Sequence, residues 1–402
     1  WFRGRAADFD NWNISGWGFS DVAPAFAAVE AQLRPTPLAT AHPLTKGLAG
    51  IFAETAPTPE TESAGVFSYN LINGRRNSAA RAFLRKRHDV EVRTGCNVDR
   101  LMWQGDKAVG VVLDDGSEIR AAKGVVLSAG SVASPAILMR SGVGPKGHLS
   151  AMGIDVRQDA PEVGENLHDH PGIGLHFEGA SSGYGLEARQ WLDWALAALN
   201  YGVRRAGAFA SPAGEGGMFF NARGEEAAPD VQTHFIPFHL AHQGGRFQMK
   251  SGYFADVCLC RPKSRGTFRL ASKDPTAAPV IDLGLFRDES DLDTMVAGVE
   301  RLRSLLKQAD FGSRRGIEAY PTEAVRGDAL KEHIRRNCGT AYHPVGTLRM
   351  GGPVSSRLKV AGVDSLWVAD ASIMPAVTSA NTNAPSMMIG WKGAEIIAED
   401  VA

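Results

Sequence analysis

Cysteine is scarce: four in 402 residues, at Cys96, Cys258, Cys260 and Cys338. That excludes a disulfide scaffold and points to a reduced interior. Charge of one sign is lacking as well. The 43 Lys and Arg stand against 44 Asp and Glu, a formal net charge of −1, so no basic excess suggests nucleic acid as a partner. No apolar run reaches the ~18 residues of a membrane-spanning helix. Neither a G-x-S-x-G nucleophile elbow nor a P-loop is present. The first residue is Trp1 and no signal peptide is visible, so the chain is expected to begin after a cleavage, a truncation or an incomplete gene.

What is present is an ordinary folding composition, 44% hydrophobic and 22% charged. Two or three structural units are expected from the length. The 45 glycines exceed the usual ~7% and imply many tight turns. After Ser20 and Asp21 the apolar spacing predicts a helix. Residues 73–84 (NGRRNSAARAFL) read as a turn entering a helix, and the basic stretch from Arg75 to His88 as a charged helix face. Residues 91–130 read as a strand meander turning at Gln104–Gly105–Asp106 and Asp114–Asp115–Gly116. Its last strand, GVVLSAG, is a continuous apolar run and is expected to be covered on both faces.

A helix is expected over 134–144, with Pro135 in its first turn and Gly142 at its end. VQTHFIPFHL and YFADVCLCRP read as strands of a second sheet, 288–308 as an amphipathic helix, 365–375 as strand and turn, and 384–402 as a terminal helix. Strand–turn–helix units at 124–144 and 365–402 thus flank a sheet-rich block. That is a mixed α/β chain, a split α/β domain interrupted by a second, antiparallel domain.

Three positions could carry chemistry. Asp370 ends the strand SLWVAD, where ligands of α/β sheets bind, and could equally be a helix N-cap. His343, in TAYHPVGTLRMGG, has the side chain best suited to exchange a proton near neutral pH. Asn381, in SANTNAPSMMIG, stands before the last helix, as a cap or as a donor to a ligand carrying negative charge. Gly142 to Gly147 spells G-x-G-x-x-G, but it follows a predicted helix and reads as a loop. His234, His239 and His242, and likewise His168-Asp169-His170, lack a second cluster at zinc-like spacing and read as solvated strand or loop faces, so no metal is expected.

Taken together, these blocks resemble the glucose–methanol–choline (GMC) family of flavin oxidoreductases, in particular its choline/alcohol dehydrogenase-like branch. WFRGRAADFDNW, NGRRNSAARAFL, GVVLSAGSVASPAILMRSGVG, VGENLHDHP, CRPKSRGTFRL, AYHPVGTLRMGG, VADASIMP and SANTNAPSMMI are similar to its motifs, in order, over essentially the whole chain. The resemblance implies an FAD-binding doubly wound domain from 1–170 and 340–402, discontinuous in sequence. It implies a substrate-binding antiparallel domain at 171–339. It makes His343 the base that accepts the alcohol proton and Asn381 its partner. It puts Asp370 and Ala371 at the ribityl and pyrophosphate of FAD, and the Val98 backbone at the adenine. Ala129 and Gly130 fall at the strand-end turn beside the cofactor, and Asn383 near the flavin ring. Tyr342 becomes a substrate-pocket candidate, and Trp391 an aromatic candidate that could be core.

The implied reaction is FAD-dependent oxidation of an alcohol to an aldehyde or ketone by hydride transfer to flavin N5, with oxygen or a quinone-like carrier as electron acceptor. The partners expected are a small-molecule alcohol and an electron acceptor or an N-terminal fragment, with no nucleic acid and no membrane span. The localisation expected is cytoplasmic, of bacterial type. The chain departs from the family in one respect: the opening βαβ segment with G-x-G-x-x-G has no counterpart, so the FAD domain is expected to be incomplete. The alternative reading is therefore a non-catalytic fragment, or half of a split protein that cannot bind FAD alone.

Overall fold

The structure is a computed structural model that describes residues 1–402 except 86, 180–182 and 244–245, with the side chains of 189, 241–243 and 246–247 also outside the description. Helix α1 (Phe19–Leu33) begins where Asp21 accepts the Gly18 N–H at 3.1 Å. It buries Val22, Ala25, Phe26, Val29 and Leu33, the spacing of a helix face, and ends at Arg34 in the left-handed region. Strand β1 (Ser63–Val66) follows, then the meander β2 (Val98–Gln104), β3 (Lys107–Leu113) and β4 (Glu118–Arg120). Its turns use Gly105 and Gly116, both at positive φ. Strand β5 (Val125–Leu127) leads into α2 (Gly130–Arg140).

Strand β6 (Pro171–Glu178), helix α3 (Trp191–Arg204) and strands β7 (Gly216–Phe220), β8 (Val231–Ile236) and β9 (Gly252–Leu259) come next. Helix α4 (Glu289–Gln308) is capped by Asp288, which accepts the Ser290 N–H at 3.0 Å. Strand β10 (Ile317–Tyr320), helix α5 (Gly327–Asn337), strands β11 (Gly339–Thr340) and β12 (Leu366–Val368) and helix α6 (Asn383–Val401) complete the labelled elements.

The larger sheet runs in the order β1-β7-β8-β9-β6-β10, with β11 also on β6, and every pair is antiparallel. Alternate residues of β6 are buried, the period of a strand with one packed face. Leu292, Met295, Val299, Leu302 and Leu306 of α4 pack on this sheet with Leu330 and Ile334 of α5. A second core gathers Phe9, Trp17 and Phe26 with Ile137 and Leu138 of α2, Trp367 and Val368 of β12 and Met388 and Ile389 of α6.

The chain departs from its sequence pattern in four places. Among the described residues strand β5 pairs only with β12, in parallel, and Val126 is 43% exposed, so this apolar run is not covered on both faces. Helix α2 begins four residues before Ser134, because Gly130 at φ +81 turns the strand end directly into the helix. The segment 73–84 forms a two-residue hairpin through Asn73 and Gly74, both at positive φ, and then one π-helical turn, Ala80–Leu84. Arg75 and Arg76 accordingly sit on the hairpin rather than on a helix face. The Gly142–Gly147 segment is no simple loop: Val143–Gly144 pair in parallel with Gln158–Asp159, and a short helix starts at Lys146.

Candidate active site

His343 sits on the loop after β11. Its backbone N–H donates to Asp169 Oδ1 at 3.0 Å, and Thr340 Oγ1 donates to the other oxygen of the same carboxylate. Ala341 N–H donates to the His170 carbonyl at 3.0 Å, and Val345 and His168 exchange backbone bonds. The loop is thereby laced to residues 168–170. Gly346 permits it: at φ +92, a Cβ there would lie 2.5 Å from the Asn166 carbonyl oxygen. Burial raises the Asp169 carboxyl above its ordinary value, while its bonds to Thr340 and to the N–H groups of His343 and His170 pull the other way.

The side chain of His343 meets Asn381, whose Nδ2 lies 3.1 Å from His343 Nε2. With Nε2 accepting that bond, the ring carries its proton on Nδ1, which has no partner among the described residues. Asn381 is shared. Its Nδ2 is also 3.1 Å from Nε2 of His234 on β8, and its Oδ1 accepts from Gln232 Nε2 at 3.0 Å. His234 in turn rests on Asp256 of the neighbouring strand β9, which accepts from the His234 backbone N–H at 2.6 Å and ring Nδ1 at 3.0 Å. The contacts run unbroken from Asp256 through His234 and Asn381 to His343.

The two rings are shifted in opposite directions. Burial opposes a proton on His234, but the Asp256 carboxylate and the bonds to Asp256 and Asn381 outweigh it and raise its pKa. Burial, with the charge of His234 nearby, lowers His343 to about 4 against a smaller opposing pull from Asp256. His343 is thus a neutral ring with an available lone pair at ordinary pH. Beneath it, His170 lies with its ring centroid 5.3 Å from that of His343 and its Nε2 2.9 Å from the Thr378 carbonyl. Burial drives His170 far below its ordinary pKa and takes His168 to about 3. Both are internal neutral rings.

Asn381, Asn383 and His234 line one cavity of about 500 Å³, together with Phe67, Tyr69 and Met387. Asn383 is the first residue of α6, whose N-terminal N–H groups suit negative charge. At the other turn, Asp370 follows β12. Its Oδ1 accepts from the Ser372 N–H at 2.8 Å and from the Ser372 hydroxyl. Its Oδ2 accepts from the Gly130 N–H at 2.9 Å and from Ser134 Oγ. All four acceptor positions of the carboxylate are filled. Asp370 therefore is the cap that the strand-end pattern allowed, and it joins the Ala371 turn to the Ala129–Gly130 turn. A Cβ on Gly130 would meet nothing within 4 Å, so open space faces this turn. Val98 lies at the far end of α2, its carbonyl 3.5 Å from Nη2 of Arg140.

Tyr342, the substrate-pocket candidate, has a left-handed backbone at φ +64 and is 86% exposed. The structure corrects two sequence expectations. His168, Asp169 and His170 are buried rather than on a solvated loop, because their backbone pairs with the His343 loop. His234 faces the site, not solvent, and His239 is 5% exposed; the His242 side chain lies outside the described residues. The residues that sequence reasoning missed are Asp169, Gln232, His234 and Asp256. The only signal was the alternation of β8, which puts Gln232 and His234 on one face. Trp391 half-lines an apolar cavity of about 550 Å³ with Phe83 and Met387. No group of three or more His, Cys, Asp or Glu side chains able to hold a metal occurs among the described residues.

Residues 1–172 and 262–390 match the N-terminal and C-terminal profiles of the family described as GMC oxidoreductase. The chain is 33% identical to the oxygen-dependent choline dehydrogenase of Brucella canis over 438 residues, covering 98% of this chain and 78% of that protein. Its identity to the enzyme of the same name from Sinorhizobium medicae is 33% over 434 residues, with the same coverage. Among solved structures, pyridoxine 4-oxidase from Mesorbium loti superposes with a TM-score of 0.82 at 25% identity, over 99% of this chain and 82% of that one. The formate oxidase of Aspergillus oryzae RIB40 superposes with a TM-score of 0.86 at 22% identity, over 100% and 82%, a likeness of fold.

Proposed function

The chain belongs to the GMC oxidoreductase family, and from that premise we propose that it oxidises an alcohol to an aldehyde or ketone with His343 as the base. It is an oxidoreductase, and its cofactor is FAD. When bound, FAD supplies the acceptor for the hydride that leaves the alcohol carbon. The residues present fit it. Gly130 has open space where a side chain would stand, and Asp370 fixes the Gly130 N–H in place. Ala129, Gly130, Asp370, Ala371 and Asn383 would form its holding turns, with Val98 at the far end. The division into a cofactor half, 1–170 with 340–402, and a substrate half, 171–339, is part of this reading.

The observation that carries the proposal is the contact of Asn381 with both imidazoles. The His343 Nε2 lone pair takes the hydroxyl proton. Lowered to about 4, His343 stands unprotonated throughout the neutral range. The Asn381 amide then holds the developing alkoxide by an N–H bond, an electrostatic stabilisation aimed where charge appears. His234 Nε2 lies 3.1 Å from Asn381 Nδ2 and 3.4 Å from Oδ1; when it carries a proton it donates to the oxygen and leaves the amide N–H groups to face His343 and the substrate oxygen. The aromatic wall of Phe67 and Tyr69 excludes water from that side.

The test is direct. The purified chain is mixed with FAD, gel-filtered and scanned in the visible. A panel of choline, benzyl and aliphatic alcohols is then added without oxygen. Retained flavin that is bleached by an alcohol, and left oxidised in His343→Ala, supports the proposal. A folded chain that retains no flavin assigns the same residues to an enzyme needing a further polypeptide, the fragment reading. Flavin that is retained but bleached by no alcohol sinks the proposed activity.

A further inference from the structure

One helix is amphipathic in the wrong sense for a water-exposed surface. The outward face of α3 is formed by Leu192, Leu196, Leu199 and Val203, spaced i, i+4, i+7 and i+11 and exposed by 71%, 56%, 64% and 74%. Trp191 stands beside them at 69% exposure, and Ala195 and Gly202 between them are exposed too. The other side carries Trp194 and Ala197, which line a cavity of about 610 Å³ with Asp193, itself exposed beside the stripe. Two further apolar side chains join the patch. Phe209 packs 5.4 Å from Trp194 and is 51% exposed. Leu186 follows Gly185, whose carbonyl accepts from Trp194 Nε1 at 2.6 Å, and is 62% exposed. A helix that turns so continuous an apolar stripe to solvent has a partner.

Charge identifies that partner. Arg204 and Arg205 close α3, both exposed. The Arg75–Arg76 hairpin abuts the same end: a Cβ on Gly74 would lie 2.1 Å from the Arg205 carbonyl oxygen, and Tyr201 Oη reaches the Gly74 carbonyl at 3.4 Å. Arg75 and Arg76 are exposed as well. Among the described residues none of these four guanidinium groups has a carboxylate within ion-pair reach. A narrow apolar stripe with a basic end matches a lipid surface, where tails accept the stripe and anionic headgroups accept the arginines.

We propose that α3 is an interfacial anchor, lying in the headgroup region of an anionic bilayer with Arg75, Arg76, Arg204 and Arg205 on its phosphates. No helix of the described residues is long and apolar enough to cross a membrane, so this is attachment from one side. Arg76 also borders the cavity of Asn381 and His234, but the apolar stripe and Arg204 and Arg205 lie outside it, and the attachment stands or falls independently of the reaction proposed there.

Sedimentation of the full chain with phosphatidylcholine vesicles, with and without phosphatidylglycerol, tests it. Binding at low salt is expected to rise about tenfold with phosphatidylglycerol and to fall again in high salt. The double variant Leu196→Glu/Leu199→Glu is expected to lose about tenfold or more in bound fraction, with an unchanged circular dichroism spectrum because both side chains are outside the core. Arg204→Gln/Arg205→Gln should weaken only the phosphatidylglycerol-dependent part. Two outcomes overturn the proposal. One is vesicle binding that is absent, or equal in wild type and the double-Glu variant. The other is a wild-type dimer that the double-Glu variant dissociates, which would give this face to a second copy.

Discussion

Two histidines meet at one amide and are held by opposite means. His343 stands on a loop, fixed by backbone bonds to residues 168–170, with no carboxylate on its ring. His234 stands on a sheet, with Asp256 bonded to its ring. Burial opposes a proton on both, yet only His234 has its pKa raised; His343 falls to about 4. The difference shows that a neighbouring carboxylate can outweigh burial in setting the direction of a shift. It also separates the two sides: the loop holds a ring that burial keeps neutral, and the sheet holds one that its carboxylate pulls toward protonation, with the amide between them.

The largest effect that would break this comparison is loss of the base. His343→Ala should lower kcat by about 10²–10⁴, measured on FAD-loaded protein with the best alcohol, while flavin binding is retained. A similar rate in this variant would show that the loop side supplies no base. Asp370→Ala strands the N–H of Gly130 and the hydroxyls of Ser134 and Ser372. It should cost about 1–3 kcal/mol in urea unfolding and weaken flavin retention. The shape of the pH profile should stay unchanged, because this turn touches neither histidine.

His234→Asn sharpens the comparison. It removes a charge-assisted bond to the amide, roughly tenfold in kcat. It also removes the ring whose charge lowers His343 and leaves Asp256, which raises it, in place. The His343 pKa should then rise from about 4, and the acid limb of kcat/KM should move to higher pH. In the wild type the rate should hold from neutral pH downward and fall only as pH passes about 4, where the ring takes up its proton. An acid limb that stays put in His234→Asn would show that the sheet side exerts no electrostatic control. The smallest effect belongs to Tyr342→Ala. With the side chain 86% exposed, kcat/KM should change less than about twofold.

Motifs with local geometry were legible. The strand-end acid, the helix caps and the glycine turns each depend on residues a few positions apart, and their chemistry is written in residue type. Gly105 and Gly116 in the meander stand where the pattern put them, whereas Ser20 and Asp21, read as cap types, lie one and two residues inside α1. The resemblance to the GMC family carried His343 and Asn381, which the structure brings to 3.1 Å across 38 residues of chain. Sequence pattern misled where burial was inferred from composition. The apolar run of β5 has an exposed Val126, the acid–histidine run at 168–170 is interior, and Tyr342 points outward. Hydropathy records what a side chain prefers, not which surface arrives to cover it.

By itself the sequence determined the mixed α/β architecture and the turns of the meander, while His343 was singled out by its resemblance to a family motif. The first two follow from periodicity and turn chemistry, which act over a few residues. Only the tertiary structure decided that Asp256 sits beside His234, that His234 meets an amide 147 residues away, and that the outward face of α3 is apolar. Each of these depends on strand register and on which surfaces meet. Antiparallel pairing of β8 with β9 put the carboxylate against the ring, and no spacing along the chain encodes that contact.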